Sequence, residues 1–425
     1  METIFNYLTF CKKNISRLDV FILLYVFLTM ADIPHPLFLY AVIGYGILIY
    51  IIIFFKCHLI DCKLSLTFYF CIFLLIYIAV MGFPVGGFLY TSKMIAASLI
   101  HFSFFIIYIY YTKKDDFQKT AFMRCLFLII VLLMVYAYYS YTAIGVNARR
   151  IADHSVDYEE IVLGKGYFFA YAVSLIGVYL FDRICYANIK DVRIKVFFWM
   201  FVIMAIFVVT ETLSTTTMLA FIGGLVITYV VPPSIKGTRT SRFSQLLVSF
   251  CLIIFIAICI NFLGNLFLLI GSSGDSIMST RLISLGYMLN GEGGYSGDYS
   301  AIRFLIPLKS FQTFLEHPIF GISYMHGNGF FKPTFFGAGN HCEWVDALCN
   351  YGLVGGIPFL YIYFHSIWNV YNNRIGRMGL GLLASFLIMG TFNPFRCFAT
   401  SITVFLILPI LADKFGNNKY RVVYE

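Results

Sequence analysis

Residues 64–82 read LSLTFYFCIFLLIYIAVMG, a stretch without one charged side chain. A helix of that length is about 28 Å long, close to the roughly 30 Å hydrocarbon core of a bilayer. Lys63 stands just before it, and Phe83-Pro84 just after it. Working outward, comparable apolar runs occur at about 18–32, 37–55, 88–111, 120–141, 166–181, 195–211, 214–231, 245–270, 350–370, 378–392 and 396–413. The expected fold is all-α: a polytopic membrane protein of about twelve transmembrane helices, one domain over residues 1–425. No A-x-A-like cleavage site follows the first run, so it reads as an uncleaved anchor.

Composition points the same way. Of the 425 residues 60% are apolar and 12% charged, about half the charge of a soluble domain. That excludes a soluble enzyme on a loose anchor, a nucleic-acid binder and a disordered scaffold. The net charge of +9 is a topology signal. Of the 30 basic residues, nine fall on one side of the alternating loops: Lys93, Arg149, Arg150, Lys165, Arg281, Arg303, Lys309, Lys332 and Arg396. All the others, from Lys12 to Arg421, fall on the opposite side. Positively charged loops stay in the cytoplasm, so both termini are expected there, with an even number of spans.

Two segments on the sparsely charged side are long, residues 142–165 and 271–349. The second far exceeds the few residues that usually link neighbouring helices. It contains apolar stretches of its own at 304–314 and 318–323, so short helices on or dipping into the outer face are expected. No internal repeat is visible, which weighs against a secondary transporter. The 11 cysteines are scattered. Cys342 and Cys349 would lie about 10 Å apart along a helix, too far for a disulfide. No cysteine or histidine spacing suggests zinc, and no structural metal is expected.

Cations on the outer side are not explained by topology and mark where chemistry belongs. Arg281 sits in Ser279-Thr280-Arg281 and Arg303 in Ser300-Ala301-Ile302-Arg303. The loop ends Gly339-Asn340-His341-Cys342-Glu343-Trp344 and runs on to Asn350-Tyr351-Gly352-Leu353-Val354-Gly355-Gly356. Arginine offers a planar fork of five donors, suited to pyrophosphate oxygens. The plainer reading pairs these arginines with Asp275, Glu292, Asp298 or Glu316, or with lipid headgroups. Histidine titrates near neutrality and suits general acid–base work. His341 at a helix start, facing water, is the plainer alternative, and Asp346 is poorly placed for a His–Asp dyad. His317 before Pro318 marks a turn. Glu211 reads as either a functional acid or a hydrated helix end. Arg149-Arg150 is either self-paired with the acids that follow or a second anion contact. Arg396 lies in the turn between the last two runs, and Lys309 adds a further outer cation.

These residues fall into a known order. Arg303, then residues 311–314, then His317-Pro318-Ile319-Phe320-Gly321 resemble the "R…hPlfGhG" stretch of bacterial O-antigen polymerases and ligases. Asn340-His341-Cys342-Glu343-Trp344 leading into Tyr351-Gly352-Leu353-Val354-Gly355-Gly356 is similar to their "HN-x-(F/Y)-L … x-G-(I/L)-(I/V/L)-G" signature. Ser279-Thr280-Arg281 and Asp298-Tyr299-Ser300 resemble the polymerase branch. The chain departs from the pattern in two places. Cys342 replaces the asparagine after the histidine, and Ser214-Thr215 replaces an early "S-R" pair.

The resemblance implies a metal-free, inverting glycosyltransferase without a cofactor, in the bacterial inner membrane. Its substrate would be an oligosaccharide repeat unit on undecaprenyl pyrophosphate, joined to the next unit on the periplasmic face. It implies catalytic roles for His341, Glu343, Arg303 and Arg281. Substrate contacts would come from Arg149, Arg150, Lys309, Asn340, Arg396 and Glu211. Membrane lipids and a chain-length regulator protein are the expected partners, and nucleic acid is not. The alternatives are an O-antigen ligase, which shares the same motifs, and a lipid-linked oligosaccharide flippase. The flippase would need charged residues lining a path through the spans.

Overall fold

The computed structural model describes residues 14–31, 36–56, 66–143, 167–187, 189–212, 214–231, 260–272, 299–322, 342–371, 380–392 and 398–416, with isolated positions between 279 and 290. Among the described residues every regular element is helical. In chain order they are α1 (Arg17–Ala31), α2 (Pro36–Lys56), α3 (Leu66–Thr112), α4 (Asp116–Ala143), α5 (Tyr167–Tyr186), α6 (Val192–Glu211) and α7 (Thr215–Val230). There follow α8 (Ile260–Ser272), α9 (Tyr299–Glu316), α10 (Glu343–Tyr371) and α11 (Gly381–Phe392). The last rod is α12 (Phe398–Ile402), a π-helical turn (Thr403–Ile407) and α13 (Leu408–Gly416). Seven segments among the described residues are long and apolar enough to cross a membrane.

The exposed faces explain why hydropathy reads so cleanly. On α6, Val196, Met200, Ile203 and Phe207 are exposed while Phe198, Phe201, Val202, Ala205 and Val208 are buried. Both faces are apolar, as a helix requires when one side meets protein and the other lipid. The enclosed centre is α5, where 83% of the apolar window is buried, against 33% for α6. Small residues permit this. A Cβ on Gly177 would lie 2.8 Å from the Phe221 ring and 3.3 Å from the Ala205 Cβ, so α6 and α7 approach closely.

Ionic contacts gather several helix ends at one end of the bundle. Lys114 Nζ lies 2.7 Å from Asp19, joining the end of α3 to the start of α1. Lys119 pairs with Asp413 at 3.5 Å, and the Lys414 ammonium donates to Thr120 Oγ1 at 2.9 Å. Asp182 and Arg183 form a buried pair near the end of α5, so buried charge is less rare than the sequence suggests.

Two glycines set breaks within the long helices. The runs at 64–82 and 88–111 remain distinct as the two limbs of α3, which breaks at Gly87 with φ 66°. A Cβ on Gly82 would sit 3.3 Å from Thr91 Oγ1. Nine residues of straight helix would separate them by about 13 Å, so the chain folds back there. The other glycine lies in the run expected at 350–370. Its helix, α10, starts at Glu343 and turns back at Gly352, φ 59°, so a short helical arm, residues 343–351, leads into the expected run. Of the run at 245–270, residues 245–259 lie outside the described residues.

Candidate functional site at the fold-back of α10

Helix α10 is two arms. The Trp344 and Phe364 ring centroids are 4.8 Å apart, whereas twenty residues of straight helix span about 30 Å. A Cβ on Gly356 would lie 3.0 Å from Leu348 Cδ2. The first arm, residues 343–351, is therefore packed against the second, residues 353–371. Trp344 also meets Phe386 of α11 at 5.3 Å, and its indole N–H donates to the Leu387 carbonyl at 3.3 Å.

A reversal inside a helix orphans backbone groups, which is costly where water is excluded. Residues 318–322 satisfy them. The N–H groups of Leu353 and Val354 donate to the carbonyls of Pro318 (2.8 Å) and Ile319 (3.1 Å). The Ile322 N–H donates to the Cys349 carbonyl at 3.0 Å. The two backbones meet so closely that a Cβ on Gly321 (φ 62°) would lie 2.5 Å from the Gly352 nitrogen. The Tyr77 hydroxyl of α3 sits 2.5 Å from the Phe320 carbonyl and 2.9 Å from that of Tyr351, tying loop and break to a third element.

Below the loop, α9 and the first arm run parallel. Ser310 donates its hydroxyl to Asp346 Oδ1 at 2.7 Å, and one turn further on Thr313 lies near Cys349. Asp346 Oδ2 accepts from the Cys342 N–H at 3.1 Å, while the Asp346 N–H donates back to the Cys342 carbonyl at 2.8 Å. That reciprocal closure occupies groups otherwise left open at a helix start. Ser310, Glu343, Asp346, Cys349 and Asn350 are all buried, forming a polar seam between the helices. Burial raises the Cys342 thiol above its ordinary value, and the neighbouring charges of Asp346 and Glu343 raise it further.

The singled-out residues divide as follows. Glu343 is buried at the first turn of α10. Arg303 is placed by its backbone in α9, two helical turns before Ser310. Lys309 is exposed, beside Ser310 but outside the seam. Glu211 ends α6 at the turn into α7, and is not among the residues holding α9 to α10. Ser214 caps α7, accepting from the Thr217 hydroxyl at 2.8 Å, so its position has a structural role of its own. His341, Asn340, Arg281, Arg149, Arg150 and Arg396 lie outside the described residues. Sequence reasoning did not single out Ser310, Tyr77 or Thr313, and it weighed Asp346 only as a partner for His341. A signal existed for one of them: Asp346 stands in the first turn of α10, three residues after Glu343, which opens it. Among the described residues no group of three or more His, Cys, Asp or Glu is placed to hold a metal ion.

No family model matches the chain, and no curated protein is detectably similar to it.

Proposed function

We propose that this protein is a polytopic glycosyltransferase of the O-antigen polymerase kind, in the bacterial inner membrane. It joins oligosaccharide repeat units carried on undecaprenyl pyrophosphate at the periplasmic face. One observation supports this reading above others: residues 317–321 and 350–356, which carry the sequence resemblance, are interlocked through Gly321 and Gly352. Motif resemblance in separate stretches gains weight when those stretches form one unit.

In the proposed reaction a hydroxyl of the acceptor unit attacks the anomeric carbon of the donor chain. The new C–O bond forms as the bond to the pyrophosphate breaks, and undecaprenyl pyrophosphate leaves with the electron pair. His341 takes the hydroxyl proton, with Glu343 as the substitute base. Arg303 and Arg281 hold the pyrophosphate and stabilise its developing charge. Arg149, Arg150, Asn340, Arg396, Lys309 and Glu211 are the candidate contacts to the remaining substrate.

The test is the glycan ladder of a strain lacking this gene, complemented with wild type, His341→Ala or Arg303→Ala. A single-repeat band without the gene, extended to a ladder only by wild type, is the expected result. Absence of any capped core would establish the ligase reading instead. An unchanged ladder without the gene would remove both.

A further inference from the structure

The carboxylate of Asp346 is 1% exposed and has two donors from different parts of the chain. One is the Ser310 hydroxyl, on the helix that carries Arg303. The other is the backbone N–H of Cys342, the residue bonded to His341. A carboxylate accepting two hydrogen bonds out of water holds both donors firmly. Each removed donor leaves charge buried and unsatisfied.

We propose that Asp346 is a positioning residue for glycosyl transfer, setting Cys342 and Glu343 at the start of α10 against α9, the helix that carries Arg303. This rests on the polymerase reading above. Asp346 does not itself touch substrate; it acts through the backbone at Cys342. Its partner in the same role is Ser310.

The test uses the full chain in nanodiscs with undecaprenyl-pyrophosphate-linked repeat unit extracted from the deletion strain. Two quantities are followed in Asp346→Ala, Asp346→Asn, Ser310→Ala and Asp346→Ala/Ser310→Ala. Maleimide labelling of Cys342, read by peptide mass spectrometry, reports whether the start of α10 is held. Initial rates of polymer growth give kcat and KM.

Asp346→Ala is expected to speed Cys342 labelling about tenfold or more through local opening. It is expected to lower kcat about 100-fold, with KM for the donor changed less than about twofold. Asp346→Asn, which keeps one acceptor oxygen, falls between Asp346→Ala and wild type on both readouts. Ser310→Ala lowers kcat alone but adds nothing to Asp346→Ala, because both break one connection. Unchanged Cys342 labelling in Asp346→Ala, or faster labelling with kcat intact, would overturn the proposal. Should Asp346→Ala fail to fold, Asp346→Asn and Ser310→Ala carry the same two readouts. If wild type makes no polymer while labelling responds as expected, the anchoring of Cys342 stands and the polymerase reading falls.

Discussion

A Cβ placed on Gly321 would lie 2.5 Å from the backbone nitrogen of Gly352, and both residues have φ near 60°. Two conditions therefore demand glycine at once, a left-handed backbone and contact between main chains. Gly352 (φ 59°, ψ −163°) and Gly87 (φ 66°, ψ −172°) occupy a region essentially confined to glycine, which alone costs an ordinary residue about 1–3 kcal/mol. Gly87 isolates that term, because its φ is 66° yet no described atom lies within 4 Å of its Cβ position.

Gly321→Ala and Gly352→Ala should accordingly destabilise the protein by about 2–5 kcal/mol, adding overpacking to backbone strain. Gly87→Ala should cost only the backbone part, about 1–3 kcal/mol. Unfolding in detergent, followed by tryptophan fluorescence, ranks the three. Equal losses at all three positions would show that the interlock does not exist.

Tyr77 directs its single hydroxyl hydrogen toward two carbonyls, Phe320 and Tyr351, and is itself buried. Tyr77→Phe leaves buried acceptors short of a donor, a loss of about 1–3 kcal/mol. Tyr45 gives a control, since its hydroxyl donates to the Phe21 carbonyl at 3.2 Å in an exposed setting. The Phe21 carbonyl lies inside helix α1, where the backbone already supplies a donor, so Tyr45→Phe should change stability by less than about 0.5 kcal/mol. A Tyr77→Phe protein as stable as Tyr45→Phe would contradict the three-way junction.

What the sequence conveyed well was the apolar runs, because lipid imposes a uniform requirement on every lipid-facing residue. The α6 run at 195–211 begins within three residues of the helix at Val192. The break at Gly87 falls in the gap between the runs at 64–82 and 88–111, whereas the folding back at Gly352 was not legible, since glycine in an apolar run reads equally as a tolerated helix residue or a bend. Resolving that ambiguity takes knowledge of what lies opposite, here residues 318–322. The same holds for the seam. Ser310 is unremarkable among the neighbours Leu308 and Phe311, and only the parallel approach of α9 to α10 makes it a partner for Asp346. His341, by contrast, stood out by residue type, although its position lies outside the described residues.

Burial separates two ion pairs of similar appearance. Lys114 and Asp19 have side chains 5% and 1% exposed, and Asp19 also accepts from Ser16 and Tyr110. Removing one partner of such a pair strands a buried charge at a cost of about 3–5 kcal/mol. Lys114→Ala should therefore sharply lower folded yield, and Asp19→Asn in the same chain should restore much of it. Lys119 and Asp413 are 19% and 32% exposed and 3.5 Å apart, so Lys119→Ala should cost no more than about 1 kcal/mol. Similar yields for Lys114→Ala and Lys119→Ala would mean that water reaches Asp19.

The Cys342 thiol offers a pH measurement at the start of α10. Its ionisation is pushed upward by burial first; backbone hydrogen bonds at Val345 and Trp344 offset part of that rise, and the negative charge of Asp346 and Glu343 adds to it. The thiolate is the reactive form, and a raised pKa means less thiolate at any pH below it. Iodoacetamide at pH 7.5 should thus modify Cys342 at least about tenfold more slowly than an unstructured peptide cysteine. As pH rises, the ordinary thiol levels off above its pKa of about 8.5, while modification of Cys342 should still be climbing at pH 9. A rate that instead levels off below pH 8 would require a cation beside Cys342 strong enough to outweigh both carboxylates and burial. That cation would have to come from residues preceding the arm, where His341 is the immediate neighbour, and the polar seam would then be a charged pair rather than a carboxylate anchor.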